Sequence, residues 1–316
     1  MPDTSVNQKE FPQPSEQKKG CGFPVASFVG VFCLATGAAL EVALGPWFAQ
    51  DLSLFSLIRH AFKAGDIFLA DRGFCSYVDL ALLKIVGVDS VVRLHQKRSS
   101  DFRRGKILGV LDHVITWSKP LQRSKRVRKA EFDHVPDTFT LRELRYKIEA
   151  NGFRTTSVTL ATTLLDPEAY PFEELTELYF RRWDVELDFR HIKTTMQMDV
   201  LRGKSPDVVR KEIWVHLLAY NLMRSIMWES AQRHGIWQHR ISFKGAIQQV
   251  AVRTDLLFSG QRTRRQSAFR SLLESIANRR NPSRPDRVEP RVRKRRPKNY
   301  RLMTRPRSEH KAAIGA

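Results

Sequence analysis

Tyr179, Arg182, Glu186 and Lys193, within YFRRWDVELDFRHIK, stand three, four and seven positions apart. An α-helix turns by about 100° per residue, so Arg182, Glu186 and Lys193 fall about 60°, 20° and 40° to one side of Tyr179. The four share a strip about 60° wide, with Arg190 close beside it. Phe180, Trp183 and Leu187 flank the strip on one side; Val185, Phe189 and Ile192 flank it on the other; Asp184, Asp188 and His191 take the far face. An ordinary surface helix carries a single apolar stripe. A charged strip between two apolar walls points instead to the lining of a cleft, where a carboxylate among cations suits metal and phosphate chemistry. The alternative is a solvated face held by helical ion pairs such as Arg182 with Glu186.

A second carboxylate comes from IFLADRGF, where Asp71 ends a short apolar run that reads as a buried strand. The carboxyl ends of strands are where open α/β sheets usually bind ligands. An Asp before Arg-Gly is also an ordinary way to start a turn. If the fold brings Asp71 and Glu186 together, their oxygens suit a hard divalent ion, Mg²⁺ or Mn²⁺. Such ions activate water and stabilise both oxygens of a phosphodiester displacement.

The elements that must position these groups are legible in outline. Two apolar strands, 25–33 and 38–44, flank a turn at ATG, and a helix is expected over 51–63. The strand before Asp71 follows, then a helix in SYVDLALLKIVG closed by Gly87, then a strand in SVVRLH. This alternation predicts a mixed sheet covered by helices. Residues 1–22 read as a polar loop, 23–95 as the first part of the α/β core and 96–160 as a β-rich insertion. Residues 161–277 read as the helical remainder of the core, with helices at 173–196 and about 206–232. The stretch 278–316 reads as a basic, disordered tail.

The charge bears on the partner. Fifty-four Lys and Arg against 33 acidic residues leave the 316-residue chain at +21, which favours a polyanion, nucleic acid first and an anionic membrane second. Residues 279–311 hold 14 Lys or Arg against Asp286, Glu289 and Glu309, a local net of +11. Arg103 and Arg104, in HQKRSSDFRRGK, are further candidates for phosphate contact. Trp117 is read either as a base-stacking group or as part of the β-core, burial being the simpler use. The apolar run 23–44 contains Gly30 and Gly37 and ends near Glu41, so it suits a buried hairpin better than a membrane span. Three cysteines in no metal or redox spacing suit a reduced, cytoplasmic protein.

The Tyr179–Arg182–Glu186–Lys193 spacing resembles the Y-R-E-K signature of the insertion sequence four family of DDE transposases. LADRGF is similar to that family's second-aspartate motif, and RGKSPDVVRKEIWVHLLAYNLMR (202–224) and RVEPRVRKRRPK (287–298) also resemble its members. The resemblance implies a ribonuclease-H-like mixed sheet with a β-rich insertion before the glutamate helix. It implies three metal-binding carboxylates, a divalent ion, and DNA as substrate: transposon ends and target, handled by a homodimer on the DNA. Asp71 and Glu186 would be the second and third carboxylates. Tyr179, Arg182, Lys193 and the adjacent Arg190 would contact phosphates. Cleavage at the transposon end would free a 3′-hydroxyl to attack the target.

The family's first aspartate, in a D-G-T or D-G-S sequence, has no counterpart here. The expectation is a chain that begins after the first core strand, with Asp3 in MPDT as the remaining candidate. Little or no strand cleavage would then be expected. The rival readings are a general metal-dependent nuclease and a non-catalytic DNA-binding remnant. A bacterial cytoplasmic protein, associated with the nucleoid when on DNA and without a membrane anchor, is the setting this implies.

Overall fold

The structure, a computed structural model, describes residues 1–148, 157–282 and 303–314. Residues 1–22 are not all loop. Thr4 caps a short helix, α1 (Ser5–Glu10), accepting a hydrogen bond from the Asn7 amide. The buried Asn7 side chain donates to the Gly203 carbonyl at 3.0 Å, which pins this helix to the distant half of the chain. A buried amide satisfied by a backbone carbonyl is a positional lock that polarity along the sequence does not announce.

The apolar run forms the expected hairpin, β1 (Ala26–Phe32) against β2 (Ala39–Pro46), with Val29 opposite Ala43. Gly37 turns it at φ +67°, in the left-handed region that glycine adopts without penalty. No described helix is long and apolar enough to cross a membrane. Helix α2 (Asp51–Ile58) covers one face of the hairpin, burying Leu54, Phe55 and Ile58. Its N-cap is Gln50, and the helix ends earlier than expected, passing into a tight turn over Arg59–Ala61.

Next come β3 (Ile67–Ala70), α3 (Tyr77–Ile85) and β4 (Asp89–Arg93). This alternation of strand and helix pairs β3 and β4 in parallel, Leu69 beside Val91. The stretch read as an insertion supplies β5 (Lys106–Gly109), β6 (Asp112–Ser118), α4 (Lys129–His134) and β7 (Thr138–Lys147). With β8 (Ser157–Thr162) these strands join the same sheet, in the order β3-β4-β8-β7-β6-β5. The result is a mixed α/β fold with a mixed six-stranded sheet, consistent with a ribonuclease-H-like transposase fold. β1 and β2 stand apart as a two-stranded sheet.

The remaining helices are α5 (Phe172–Phe180), α6 (Trp183–Arg190), α7 (Pro206–Arg233), α8 (Phe243–Leu257), α9 (Arg262–Ala277) and α10 (Arg307–Ile314). Pro206 opens α7, where its missing N–H is harmless and its fixed φ suits the first turn. The expected disordered tail falls largely outside the described residues, as does 287–298, but its last described stretch is helical.

Three apolar cores hold these parts. One joins the hairpin, α2 and α3 to the β3–β4 side of the sheet. A second gathers α7, α8 and α9 around Tyr220 and Phe243, with Ile192 and Val42 reaching in. A third lies between the sheet and α5, with Tyr179 among its members and Leu69 of β3 packed against it. Position relative to this third core decides the site.

Candidate functional site

Asp71 follows β3 directly, at its carboxyl end, exposed. Its Oδ1 accepts the Gly73 amide at 2.8 Å and so caps the tight turn over Arg72–Phe74. The turn chemistry and the strand-end position, alternatives in the sequence, are both realised.

Tyr179 sits in the last turn of α5 and is 5 % exposed. Its phenol is pushed up to about 12, first by burial; the Asp71 carboxylate and Tyr146 add to the rise, while Arg182 and Arg93 oppose it. Asp71 is thus close enough for its charge to act on Tyr179. Three residues on, the Arg182 guanidinium reaches Glu186 Oε1 at 3.3 Å through both Nη atoms and lies 4.7 Å over the Trp183 ring. Its Nε is buried without a hydrogen-bond partner among the described residues. Geometry gives two links, Arg182 over the Tyr179 ring at 5.8 Å and Arg182 with Glu186; Asp71 acts on Tyr179 through its charge.

The continuous helix expected over 173–196 is a correction. The chain turns at Arg181 and Arg182, resumes at Trp183, and closes His191–Thr195 as a π-turn. A π-turn widens the helix by one residue, and such turns frequently mark functional sites. Uniform 100° steps therefore do not place Lys193. It is exposed, with Nζ 5.4 Å over the Phe189 ring, and it lines a mainly apolar cavity of about 860 Å³. No hydrogen bond or ion pair joins Lys193 to Arg182 or Glu186 among the described residues.

Nor are there two equivalent apolar walls. Ile192 is fully buried and Phe189 packs edge-on to Phe28 and Phe32 of the hairpin. Phe180, Trp183 and Leu187 stay 40–53 % exposed. One wall is core; the other faces solvent beside Arg182 and Glu186.

The far face is the one the sequence reading missed. Asp188 is buried and holds the buried Arg224 of α7. Arg224 Nε donates to the Tyr220 hydroxyl at 2.9 Å, and that hydroxyl donates to the Gly37 carbonyl at 2.6 Å. Burial pushes the Asp188 carboxyl up to about 6, against the pull of Arg224. His191 stacks on Phe243 at 4.5 Å, and its Nδ1 accepts from Arg224 at 3.1 Å. His239 Nδ1 lies 3.8 Å from the Asp184 carboxylate, and burial holds that imidazole below its ordinary pKa, against the pull of Asp184. One polar network thus ties the Glu186 helix to α7 and to the hairpin turn. Its only trace in the sequence is an arginine at a core position of α7.

Burial, with Arg224 and Arg190 adding, holds His191 down to about 4, against 6.5 for an ordinary histidine. Between those values the unfolded chain binds a proton at His191 that the folded chain does not, so the His191 contribution to stability rises with pH across the window, opposite in sign to that of Asp188. The stability difference between the unaltered chain and His191→Phe is expected to shrink as pH falls from about 6.5 to about 4. Urea titrations at several pH values check this; a difference independent of pH counts against a neutral, buried His191.

Other candidates are more remote. Asp3 is exposed and accepts from Gln8 Nε2 at 2.7 Å, on the α1 side of the molecule. Arg103 and Arg104 are exposed and both pair with Asp101, at 2.8 and 3.3 Å. The Arg103 hydrogen bonds hold the Asp101 carboxyl down to about 2. Arg190 is exposed at the end of α6. Trp117 is 5 % exposed, donates to Glu143 Oε1 at 2.8 Å and lies under the Arg98 guanidinium at 3.8 Å. It belongs to the core, not to a stacking surface.

Two exposed carboxylates offer oxygen donors of the kind a hard divalent ion takes. Their number falls short: no three His, Cys, Asp or Glu side chains gather to hold a metal among the described residues.

A family model described as "Transposase DDE domain" matches residues 7–222. The chain is 27 % identical over 302 residues to "Transposase InsG for insertion sequence element IS4" of Escherichia coli (strain K12). That match covers 95 % of this chain and 66 % of the relative. "Putative transposase InsL for insertion sequence element IS186A" of the same strain and "Transposase for insertion sequence element IS421" of Escherichia coli are each 30 % identical over 96 residues. For both, 29 % of this chain and 26 % of the relative are covered. The chain thus spans less than two thirds of these relatives' lengths. Members of the matched family generally use a divalent metal and act on DNA. The match over two thirds of the chain, centred on the sheet, Asp71 and the Glu186 helix, shows that the chain belongs to the DDE transposase family.

Proposed function

We propose that the chain works in DNA transposition, binding insertion-sequence end DNA beside Tyr179, Arg182 and Lys193, with Arg190, Arg103 and Arg104 as outer phosphate contacts. Asp71 and Glu186 are the chain's two carboxylates at the cleaved phosphodiester, and Mg²⁺ or Mn²⁺ is the ion they would share with a third ligand. The observation that carries this reading is the core shared by β3 and α5, in which Leu69, two residues before Asp71, packs against the cluster holding Tyr179, while Arg182, one turn on, holds Glu186. That supports a site to which the strand-end carboxylate and the signature helix both contribute. The buried, unpartnered Nε of Arg182 adds a donor suited to a phosphate oxygen. A homodimer on the DNA fits the pairing of two transposon ends.

That no group of three candidate ligands gathers among the described residues favours a second reading for this chain by itself: it binds DNA and does not cut it. A site holding two of three carboxylates would bind a divalent ion far more weakly than one holding all three. The purified chain is expected to retard duplex DNA equally with Mg²⁺ or with a chelator, and to leave a supercoiled plasmid unnicked in Mg²⁺. Metal-dependent nicking abolished by Glu186→Gln would replace the second reading with the catalytic one. Absence of DNA binding under both conditions would overturn the proposal.

A further inference from the structure

Helix α7 buries one side deeply, through Val209, Ile213, Leu217, Tyr220, Met223 and Met227. Its other side is apolar as well. Val208, Trp214, Val215, Leu218, Leu222 and Trp228 are 42–63 % exposed. On the wheel of an α-helix these six fall within about 160° of one another, and they run for about 30 Å along the axis. An amphipathic surface helix would carry charged residues all along such an arc; here they stand toward its two ends, Asp207 and Lys211 at one and Glu229 and Arg233 at the other. The exposed apolar area is about 600 Å² per chain, at the upper end of the largest patch that soluble monomers usually leave, a size that is often functional. Two such faces brought together would cover on the order of 1,200 Å², the lower bound of stable interfaces.

We propose that this face is a homodimer interface, formed between two antiparallel α7 helices without DNA or metal. The charges on the face choose the occupant and the direction. A two-fold axis midway between Leu218 and Leu222 sets Leu218 of one copy against Leu222 of the other, and Val215 against Ser225. The same operation sets Lys211 against Glu229 and Asp207 against Arg233, each contact occurring twice by symmetry. Within one chain Glu229 already holds Arg233 at 2.6 Å, so Lys211 and Asp207 of a second copy extend an existing pair. Parallel packing would instead place Lys211 on Lys211 and Glu229 on Glu229. The face is self-complementary in one direction only. Flanking charges of both signs also make it a poor match for a polyanion.

This interface is independent of the reading of the Asp71–Glu186 site, so the test uses no DNA. Sedimentation equilibrium of the 316-residue chain at moderate salt is expected to give twice the 36.6 kDa chain mass. Leu218→Glu is expected to give the single-chain mass with an unchanged far-ultraviolet circular dichroism spectrum. Lys211→Glu is expected to weaken the dimer at least tenfold, and Lys211→Glu with Glu229→Lys to restore it. A single-chain mass for the unaltered protein overturns the proposal, as does a dimer that Leu218→Glu leaves intact. A charge swap without restoration overturns the antiparallel pairing. A single-chain protein whose DNA affinity falls with Leu218→Glu reassigns the face to nucleic acid and equally overturns it.

Discussion

Arg224→Ala is expected to lower stability by about 3–5 kcal/mol, because it leaves the buried Asp188 carboxylate without its cation. Both side chains are 4 % exposed, so water cannot replace the lost partner. The Tyr220 hydroxyl and His191 Nδ1 lose donors in the same step. An exposed control, Arg233→Ala, breaks a surface pair with Glu229 and is expected to change stability by about 0–1 kcal/mol. Replacing both buried charges, Arg224→Met with Asp188→Leu, is expected to recover most of the loss, since neither charge then needs solvation. Denaturant midpoints for the four proteins decide the matter. An Arg224→Ala variant as stable as the Arg233→Ala control would show that the network contributes nothing to the fold. Asp188 stands two residues beyond Glu186 on the same helix, so the variant is also expected to loosen the site.

Arg182→Ala and Lys193→Ala are expected to weaken binding to duplex DNA for any sequence, each reducing the salt dependence of log K by about one unit. Each phosphate contact contributes a slope of about −0.9, so one contact changes affinity by about threefold to fourfold between 50 and 200 mM salt. The effects of the two are expected to add, because no hydrogen bond or ion pair joins them among the described residues. Arg182→Ala also frees Glu186 from its ion pair. It leaves the open apolar wall of Phe180, Trp183 and Leu187 in place. Fluorescence anisotropy across a salt series measures the slopes. An unchanged slope for both variants would remove these residues from the DNA surface.

The hairpin at 23–44, β3 ending at Asp71, α3 closed near Gly87 and α7 from Pro206 were legible because local patterns carry them: period-2 strands, a glycine stop, a proline start. The break at Arg181–Arg182 and the π-turn at His191–Thr195 were not legible. Arg182, Trp183 and their neighbours are compatible with an unbroken helix, and the break follows from what they pack against. The helix in residues 1–22 escaped for the same reason: its anchor, Gly203, is 196 residues away from Asn7.

What the sequence by itself determined is the identity and spacing of the chemical groups. Tyr179, Arg182, Glu186 and Lys193 lie at fixed intervals, Asp71 ends an apolar run, and the charge is strongly basic, all of which are covalent facts. The tertiary structure alone decided that β5, β6 and β7 extend the β3–β4 sheet and that Asp71 lies near Tyr179. It also decided that Asp184, Asp188 and His191 face a buried network rather than solvent. Helical periodicity assigns residues to faces, but burial of a face depends on partners such as Arg224, 36 positions from Asp188. Such long-range pairings are fixed by packing the whole chain at once, and local sequence carries no separate record of them.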